Sequence, residues 1–295
     1  MLNNFFEDTK PRGQLLALAL IFVLFFILSV ILSAGTTLAF ALMSDGVDVH
    51  LSLIAVTQIV SFAGAALFFA FLFYEKPLRH LGLPIVDGMF VRLIVTCVII
   101  LCLLPMSDWL GRINDAWHLP QGLASFEESL RLLGEKSQEQ VAAFLSQDSI
   151  GALMGNLIVM ALVPAFCEEL FFRGALQQLF CRMTKNYHVA IWITAAVFSL
   201  FHGEIFAFLP RFVLGAALGY LFYYGGSLWY NVTAHFLNNA AAIILFYFAA
   251  NGKVDMDVAE NSLNAPWYLA FIGLAIAVAL LYVFFMKPKF SKKSF

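Results

Sequence analysis

The sequence is poor in charged residues. Lysine, arginine, aspartate and glutamate make up 12% of its 295 residues, whereas hydrophobic residues make up 62%. A typical soluble domain has about 25% charged and about 45–50% apolar residues. The low charge therefore excludes an ordinary water-soluble domain, and 32 phenylalanines are too many for one soluble core. The net charge of −2 gives no indication of nucleic-acid binding.

Cysteine is also scarce, and the four cysteines lack the CxxC spacing of many redox and zinc sites. All of them lie in or beside apolar runs, which is typical of small buried residues rather than disulfide partners or metal ligands. The zinc-protease motif HExxH is absent as well. The cysteines are Cys97, Cys102, Cys167 and Cys181.

Long apolar runs are abundant. A membrane helix needs roughly 20 mostly apolar residues, and about eight runs qualify. We predict an all-α, polytopic membrane protein of about eight transmembrane helices, with the first helix retained rather than cleaved as a signal peptide. The runs lie near residues 15–43, 51–74, 90–107, 150–180, 188–202, 205–224, 227–250 and 266–286.

The charges between the runs predict the orientation, because basic residues favour the cytoplasmic side. Eight spans with both termini in the cytoplasm place every basic connection inside and the acidic ones outside. The basic residues are Lys10, Arg12, Lys76, Arg79, Arg182, Lys185, Lys287, Lys289, Lys292 and Lys293. The acidic ones are Asp45, Asp48, Asp255, Asp257 and Glu260.

The chain divides into three parts by this interpretation. Residues 1–149 hold three spans and a long external loop, 150–250 hold the candidate catalytic helices, and 251–295 hold the last span and a basic cytoplasmic tail. Within the loop, about 108–149, Ser125 and Glu128 have the spacing of a capping box. The apolar residues that follow predict an amphipathic helix at the interface or packed on the surface, with substrate gating as the alternative.

Ionisable residues inside a span are costly and are therefore candidates for function. The fourth run contains CEELFFRG. Glu169 and Arg173 are four residues apart, so they share a helix face and are predicted to pair. Glu168 points about 100° away from Glu169, which leaves its carboxylate free to accept or donate a proton.

Two further clusters lie at a similar depth. His202 ends FSLFH in the fifth run, and His235 and Asn239 share a face in the seventh. Taken alone, each could be a hydrogen bond between helices. Counted from the cytoplasmic ends, however, Glu168, His202, His235 and Asn239 lie roughly 13–21 Å inward. We therefore predict one polar site within the bundle.

These side chains suit hydrolysis by water. Glu168 would act as the general base and His202 would hold the water or relay its proton. His235 and Asn239 can donate hydrogen bonds to an oxyanion. No serine is placed as a nucleophile, and nothing marks the thiolate of Cys167 as stabilised. One glutamate and two histidines could also bind zinc, so a zinc mechanism is the less favoured alternative to a site without a cofactor.

The three clusters match a known family. EELFFR (168–173) fits EExxxR, FSLFH (198–202) fits FxxxH, and HFLNN (235–239) fits HxxxN. In this order they resemble the motifs of the CAAX protease and bacteriocin-processing family, the intramembrane glutamic endopeptidases also called the abortive-infection family. The resemblance covers about residues 150–250.

The resemblance implies the same roles: Glu168 and His202 activate the water, His235 and Asn239 form the oxyanion hole, and Glu169 and Arg173 support the site. It implies an eight-span helical core and cleavage of a peptide or protein near the membrane surface, including lipid-modified or membrane-associated substrates. Two other classes stay open. One is a non-catalytic immunity or scaffold protein, and the other is a transporter that uses intramembrane Glu and His.

Overall fold

The computed structural model describes residues 9–43, 49–145, 148–255 and 264–287. Nine main helices and no strands occupy these residues, which confirms the predicted all-α fold. They are α1 Pro11–Met43, α2 49–73, α3 Met89–Asp115, α4 Ala124–Leu145, α5 Ile150–Thr184, α6 Tyr187–Phe201, α7 Ile205–Gly225, α8 Leu228–Ala250 and α9 Trp267–Met286.

Seven of these helices are long and apolar enough to cross a membrane: α1, α2, α3, α5, α7, α8 and α9. Helix α6 is apolar but has only 15 residues. At 1.5 Å per residue it extends over about 22 Å, less than the roughly 30 Å hydrocarbon core. The protein is thus a polytopic membrane protein, and the fifth predicted run is the one that falls short.

Several charged residues that predict the orientation lie outside the described residues. They are Asp45, Asp48, Asp257, Glu260, Lys289, Lys292 and Lys293.

Phenylalanines from four helices pack around the position of the polar site. Phe22 of α1 lies 4.9 Å from Phe171 of α5, measured between ring centroids. Phe172, also of α5, is fully buried and meets Phe198 of α6 edge to face at 5.2 Å. Such contacts fix helices more strongly than area burial alone. Within this cluster are Phe22, Phe62, Phe171, Phe172, Phe198 and Phe201.

Small residues let helices pack closely elsewhere in the bundle. A Cβ added at Gly273 of α9 would lie 2.0 Å from the carbonyl oxygen of Cys102 on α3. Gly215 of α7 faces Ala195 of α6 in the same way, at 3.2 Å. Small residues at such contacts are typical of membrane bundles, where backbones must approach for van der Waals packing.

Helices α2, α5 and α9 contain π-helical segments, and that of α9 is Tyr282–Met286. In α5, Leu157–Leu162 ends two residues before Pro164, whose missing N–H would interrupt an ordinary α-helix. The segment Leu170–Gln177 follows directly after Glu169 and carries Arg173. In α2 the segment is Gln58–Gly64. Such segments are frequent at functional sites.

The amphipathic helix predicted in the long loop is α4. It begins at Ala124, after a 3₁₀ turn at Gln121–Leu123, so Ser125 lies inside the first turn and cannot be the N-cap of a capping box. Instead, Arg131 attaches α4 to the membrane helices, since its guanidinium lies 3.9 Å from the centroid of the Phe206 ring at the start of α7.

Candidate active site

Glu169 is the centre of a buried polar cluster. Its carboxylate accepts hydrogen bonds from Arg173 Nη1 at 2.7 Å, His235 Nδ1 at 3.0 Å and Asn231 Nδ2 at 3.2 Å. The side chains of Glu169 and Arg173 have no exposed surface. A buried charge of this kind is stable only when it is paired and hydrogen-bonded, although Nε of Arg173 has no hydrogen-bond partner among the described residues. The spacing predicts the Glu169–Arg173 pair, and the structure contains it.

Arg173 holds this pair in place through two more contacts. Its Nη2 donates to the carbonyl oxygen of Gly215 on α7 at 3.1 Å, and its guanidinium lies 4.6 Å from the ring centroid of Phe198 on α6. The cation–π contact compensates part of the lost hydration of the charge. Arg173 therefore connects α5 to both α6 and α7, and it leaves little freedom to Glu169.

Glu168 has a different environment, although it precedes Glu169 directly. Its side chain is buried, and Oε1 accepts a hydrogen bond from Gln58 Nε2 of α2 at 3.0 Å. Among the described residues, the other oxygen, Oε2, has no hydrogen-bond partner. It lies 4.0 Å from His235 Nε2. The two adjacent acids thus divide into one that is saturated with donors and one that keeps a free oxygen.

His235 lies between the two acids. Because a carboxylate can only accept, Nδ1 must donate to Glu169, and this bond fixes the ring so that Nε2 faces Glu168. The ring of Phe198 packs edge to face at 5.7 Å and closes the remaining side. A histidine oriented by one acid and directed at another group is typical of proton-transfer sites.

His202 is less enclosed. It follows the last residue of α6, its Nδ1 donates to the Phe198 carbonyl oxygen at 2.9 Å, and its side chain is exposed on the protein surface. It is near enough to Glu168, His235 and Arg211 to interact with them electrostatically. Since Nδ1 is engaged, Nε2 is the nitrogen available for exchange with water or substrate.

Asn239 lies one helical turn beyond His235 and is half-buried. Its Oδ1 accepts a hydrogen bond from Asn238 at 3.3 Å. Within the described part of the chain, no hydrogen bond joins it to Glu168, Glu169 or His235. The structure therefore brings Glu168, Glu169, Arg173 and His235 into contact, places His202 nearby, and leaves Asn239 at the edge.

Two members of the cluster are missed by the sequence interpretation. Asn231 shares the face of His235 four residues earlier, and besides Glu169 it binds the Leu218 carbonyl oxygen at 2.7 Å. The spacing that singled out Asn239 applies equally to Asn231 on the other side of His235. Gln58 stands in VTQIVSFAG, where a polar residue in an apolar run is the signal that could have found it.

Among the described residues, no group of three or more His, Cys, Asp or Glu side chains could hold a metal ion together. Independence from a cofactor stays a prediction. The four cysteines all lie in the described residues, and none forms a disulfide with another.

Known proteins resemble the part of the chain that forms this site. Residues 150–241 match the family model described as type II CAAX prenyl endopeptidase Rce1-like. This match confirms the resemblance to the CAAX endopeptidase family. The matched segment contains α5, α6, α7 and more than half of α8, and with them Glu168, His202, His235 and Asn239. Gln58 lies outside it.

A curated relative is the uncharacterized protein YpbD of Bacillus subtilis (strain 168). It is 28% identical over 117 residues, and the alignment covers 38% of this chain and 57% of YpbD. No solved structure matches the chain significantly. The resemblance to the Rce1-like family is thus confined to the helices of the polar cluster.

Proposed function

We propose that the protein is an intramembrane endopeptidase of the CAAX type, in which Glu168 and His202 activate a water molecule that hydrolyses a peptide bond near the membrane surface. Two findings support this proposal. The Rce1-like match covers the helices that carry the polar site, and the site contains a buried carboxylate with an unpartnered oxygen.

The observation that carries the proposal is the contrast between the adjacent acids. A structural ion pair needs only one acid for Arg173, and Glu169 fills that role at 2.7 Å. Keeping a second carboxylate buried costs free energy. In addition, Oε2 of Glu168 gains no hydrogen bond among the described residues. Such a group is typical of a catalytic base rather than of packing.

The orientation of the His235 ring supports a donor role. Nδ1 is held by Glu169 at 3.0 Å, so Nε2 is the ring nitrogen on the Glu168 side, 4.0 Å from Glu168 Oε2. A proton on Nε2 would let His235 donate to the oxygen of a tetrahedral intermediate.

The hydrolysis follows from these positions. Glu168 takes a proton from the water molecule, and the oxygen of that water forms a bond to the peptide carbonyl carbon. The carbonyl oxygen becomes an oxyanion, which His235 and Asn239 stabilise by hydrogen bonds. The proton then passes to the peptide nitrogen as the C–N bond breaks, and the exposed position of His202 suits this relay. The products are a carboxylic acid and an amine.

The substrates we propose are peptides or proteins at the membrane surface, including lipid-modified ones. With both termini in the cytoplasm, the described basic residues Arg79 and Arg182 lie on the cytoplasmic side. Reporter fusions at Lys76, Tyr187 and Phe295 are expected to read cytoplasmic, and one at Asp257 external. An external reading at Phe295 would reject eight spans and would fit seven, in which the 15-residue α6 does not cross the membrane.

The experiment is a cleavage screen with purified full-length protein in detergent or proteoliposomes. Peptide mixtures, with and without lipid modification, are incubated with the wild type, with Glu168→Gln and with Glu128→Gln, a control at an exposed glutamate of α4. New termini are identified by mass spectrometry. We expect cleavage by the wild type and the control, and cleavage at least about 100-fold slower by Glu168→Gln. We expect the wild-type activity to survive a strong chelator.

Each other outcome has a defined meaning. Loss of cleavage to the chelator with rescue by zinc would change Glu168, His202 and His235 from acid–base and oxyanion roles to ligands. Equal cleavage by Glu168→Gln would reject Glu168 as the base. No cleavage by any variant would favour a scaffold protein, and proton flux in proteoliposomes that depends on Glu168 would favour a transporter.

A further inference from the structure

Gln58 is a polar residue within a membrane-spanning helix. It lies in the span Leu53–Phe73, at the first position of the π-helical segment Gln58–Gly64. This helix is outside residues 150–241, so the family match gives Gln58 no role. A polar side chain at such a depth needs a partner, because hydrocarbon offers none.

The partner of Gln58 is Glu168. Its Nε2 donates to Glu168 Oε1 at 3.0 Å. Its own carbonyl oxygen, Oε1, is buried and has no hydrogen-bond partner among the described residues. Glu168 is thus the one hydrogen-bond partner of the Gln58 amide among the described residues. The buried Oε1 of Gln177 has no partner there either, so the contact with Glu168, rather than the unpartnered oxygen, distinguishes Gln58.

The packing around Gln58 holds this geometry. One turn further along α2, the Phe62 ring meets Phe171 and Phe172 of α5 at 5.6 and 5.9 Å between centroids. Ala63 of the same π-helical segment is buried. The segment is thus fixed against the part of α5 that follows Glu168, and Gln58 cannot easily turn away.

We propose that Gln58 is a positioning residue for the base Glu168. By donating to Oε1, it fixes the carboxylate so that Oε2 stays directed at His235 Nε2, 4.0 Å away. The site then needs α2 as well as α5, α6 and α8, because α2 orients the base that α5 carries. This inference rests on the proposed function, since the positioning has an effect on rate only if Glu168 is the base.

The first test is Gln58→Met, which keeps the length of the side chain and removes the donor. A hydrogen bond to a charged group contributes enough that we expect kcat to fall roughly 10–100-fold, with KM nearly unchanged because Gln58 does not touch substrate. The matched control is Gln177→Met. Gln177 is also buried and donates to a carbonyl oxygen, that of Gly219, at 3.1 Å, so its variant should keep kcat.

A double variant separates positioning from general damage. In the Glu168→Gln background, Gln58→Met should cause no further loss of the residual rate, because both changes act through one carboxylate. Independent, multiplied losses would show that Gln58 acts elsewhere and would overturn the proposal. If Gln58→Met does not fold, Gln58→Asn keeps the amide but is one methylene shorter, and the same loss is expected.

An infrared measurement tests the contact without turnover. The carboxylate band of Glu168 is identified as the band lost in Glu168→Gln. We expect it to shift in Gln58→Met and to stay in place in Gln177→Met. An unshifted band together with a normal kcat would sink the role of Gln58 and leave the proposed function intact. A shifted band in a protein without peptidase activity would support the contact while rejecting the proposed function.

Discussion

Two regions of the molecule are built from the same residues in different surroundings. Helix α4 contains adjacent glutamates, Glu127 and Glu128, followed by Arg131. Helix α5 contains Glu168 and Glu169 followed by Arg173. In each helix the acid four residues before the arginine pairs with it, at 2.9 Å for Glu127 and 2.7 Å for Glu169, and the other acid is left over.

A histidine completes each cluster. His118 Nδ1 lies 2.9 Å from Glu127, and His235 Nδ1 lies 3.0 Å from Glu169. The two clusters differ in their exposure to solvent: 77% of the His118 side chain is exposed, whereas only 4% of the His235 side chain is. On α4 the spare acid Glu128 is hydrated, whereas on α5 the spare acid Glu168 is buried. Burial rather than residue type distinguishes a candidate base from an ordinary surface charge.

Substitution of the two spare acids, Glu168 and Glu128, should reveal the largest difference between the two helices, and that difference is in turnover. Glu168→Gln keeps the shape of the side chain and removes the base, so kcat should fall by about 100–10,000-fold. Glu128→Gln makes the same chemical change in water and should leave kcat unchanged. Peptide cleavage rates are measured beside detergent-solubilised yield, which should be nearly intact for both. Normal cleavage by Glu168→Gln would show that burial alone does not make this acid a base.

The next effect is on stability. Glu169→Gln leaves the buried Arg173 uncompensated, which costs about 3–5 kcal/mol, so yield and melting temperature should fall together with activity. Glu127→Gln removes the same kind of pair from a partly hydrated site and should lower the melting temperature less. If Glu168→Gln unfolds the protein and Glu169→Gln does not, the roles of the two acids are reversed.

A smaller loss is expected at the edge of the buried cluster. Asn239→Ala removes one candidate oxyanion donor, which typically costs about 100–1,000-fold in kcat and leaves measurable activity. The control is Asn251→Ala, which changes an exposed asparagine that bonds to the Tyr247 carbonyl oxygen at the end of the same helix. A normal rate for Asn239→Ala would assign the oxyanion contact to His235 alone.

The fold and the central acids could be predicted because their signals are local. Apolar length predicts the membrane helices, and a four-residue spacing predicts the Glu169–Arg173 pair. The third span illustrates the limit of such signals. It was predicted to end near 107 but continues to Asp115, because Asn114 is fully buried and its Oδ1 accepts from the backbone N–H of Leu209 at 2.7 Å.

The remaining members of the site depend on contacts that spacing cannot show. Gln58 is 110 residues from Glu168 in the chain, and only the packing of α2 on α5 brings them together. Asn231 and Asn239 are equally spaced about His235 but lie about 12 Å apart along α8, and the packing of α8 on α5 brings Asn231 to Glu169, at 3.2 Å. A common depth predicts that residues are at one level in the bilayer, but it does not predict which of them touch.

The smallest expected effect is a pH dependence of the contacts that hold α4. It arises from the cluster of His118, Glu127 and Arg131. Hydrogen bonds from the backbone N–H of Leu119, from Arg131 and from His118 lower the pKa of Glu127 from 4.5 to about 2. A lowered pKa in the folded state means that the stabilisation is complete above the unfolded value and is lost as the pH falls toward the folded one. The attachment of α4 should therefore weaken between about pH 5 and about pH 2.

The amide of Leu119 reports on this attachment, because it donates to Glu127 Oε2 at 2.6 Å. Its protection against hydrogen exchange, corrected for the intrinsic rate, should be constant at neutral pH and should fall over that acidic range. In Glu127→Gln the charge-assisted bond is absent, so protection should be low at every pH, whereas Glu128→Gln should behave as the wild type. Protection that persists unchanged to about pH 2 would show that packing, such as the contact between Arg131 and Phe206, holds α4 in place without the Glu127 carboxylate.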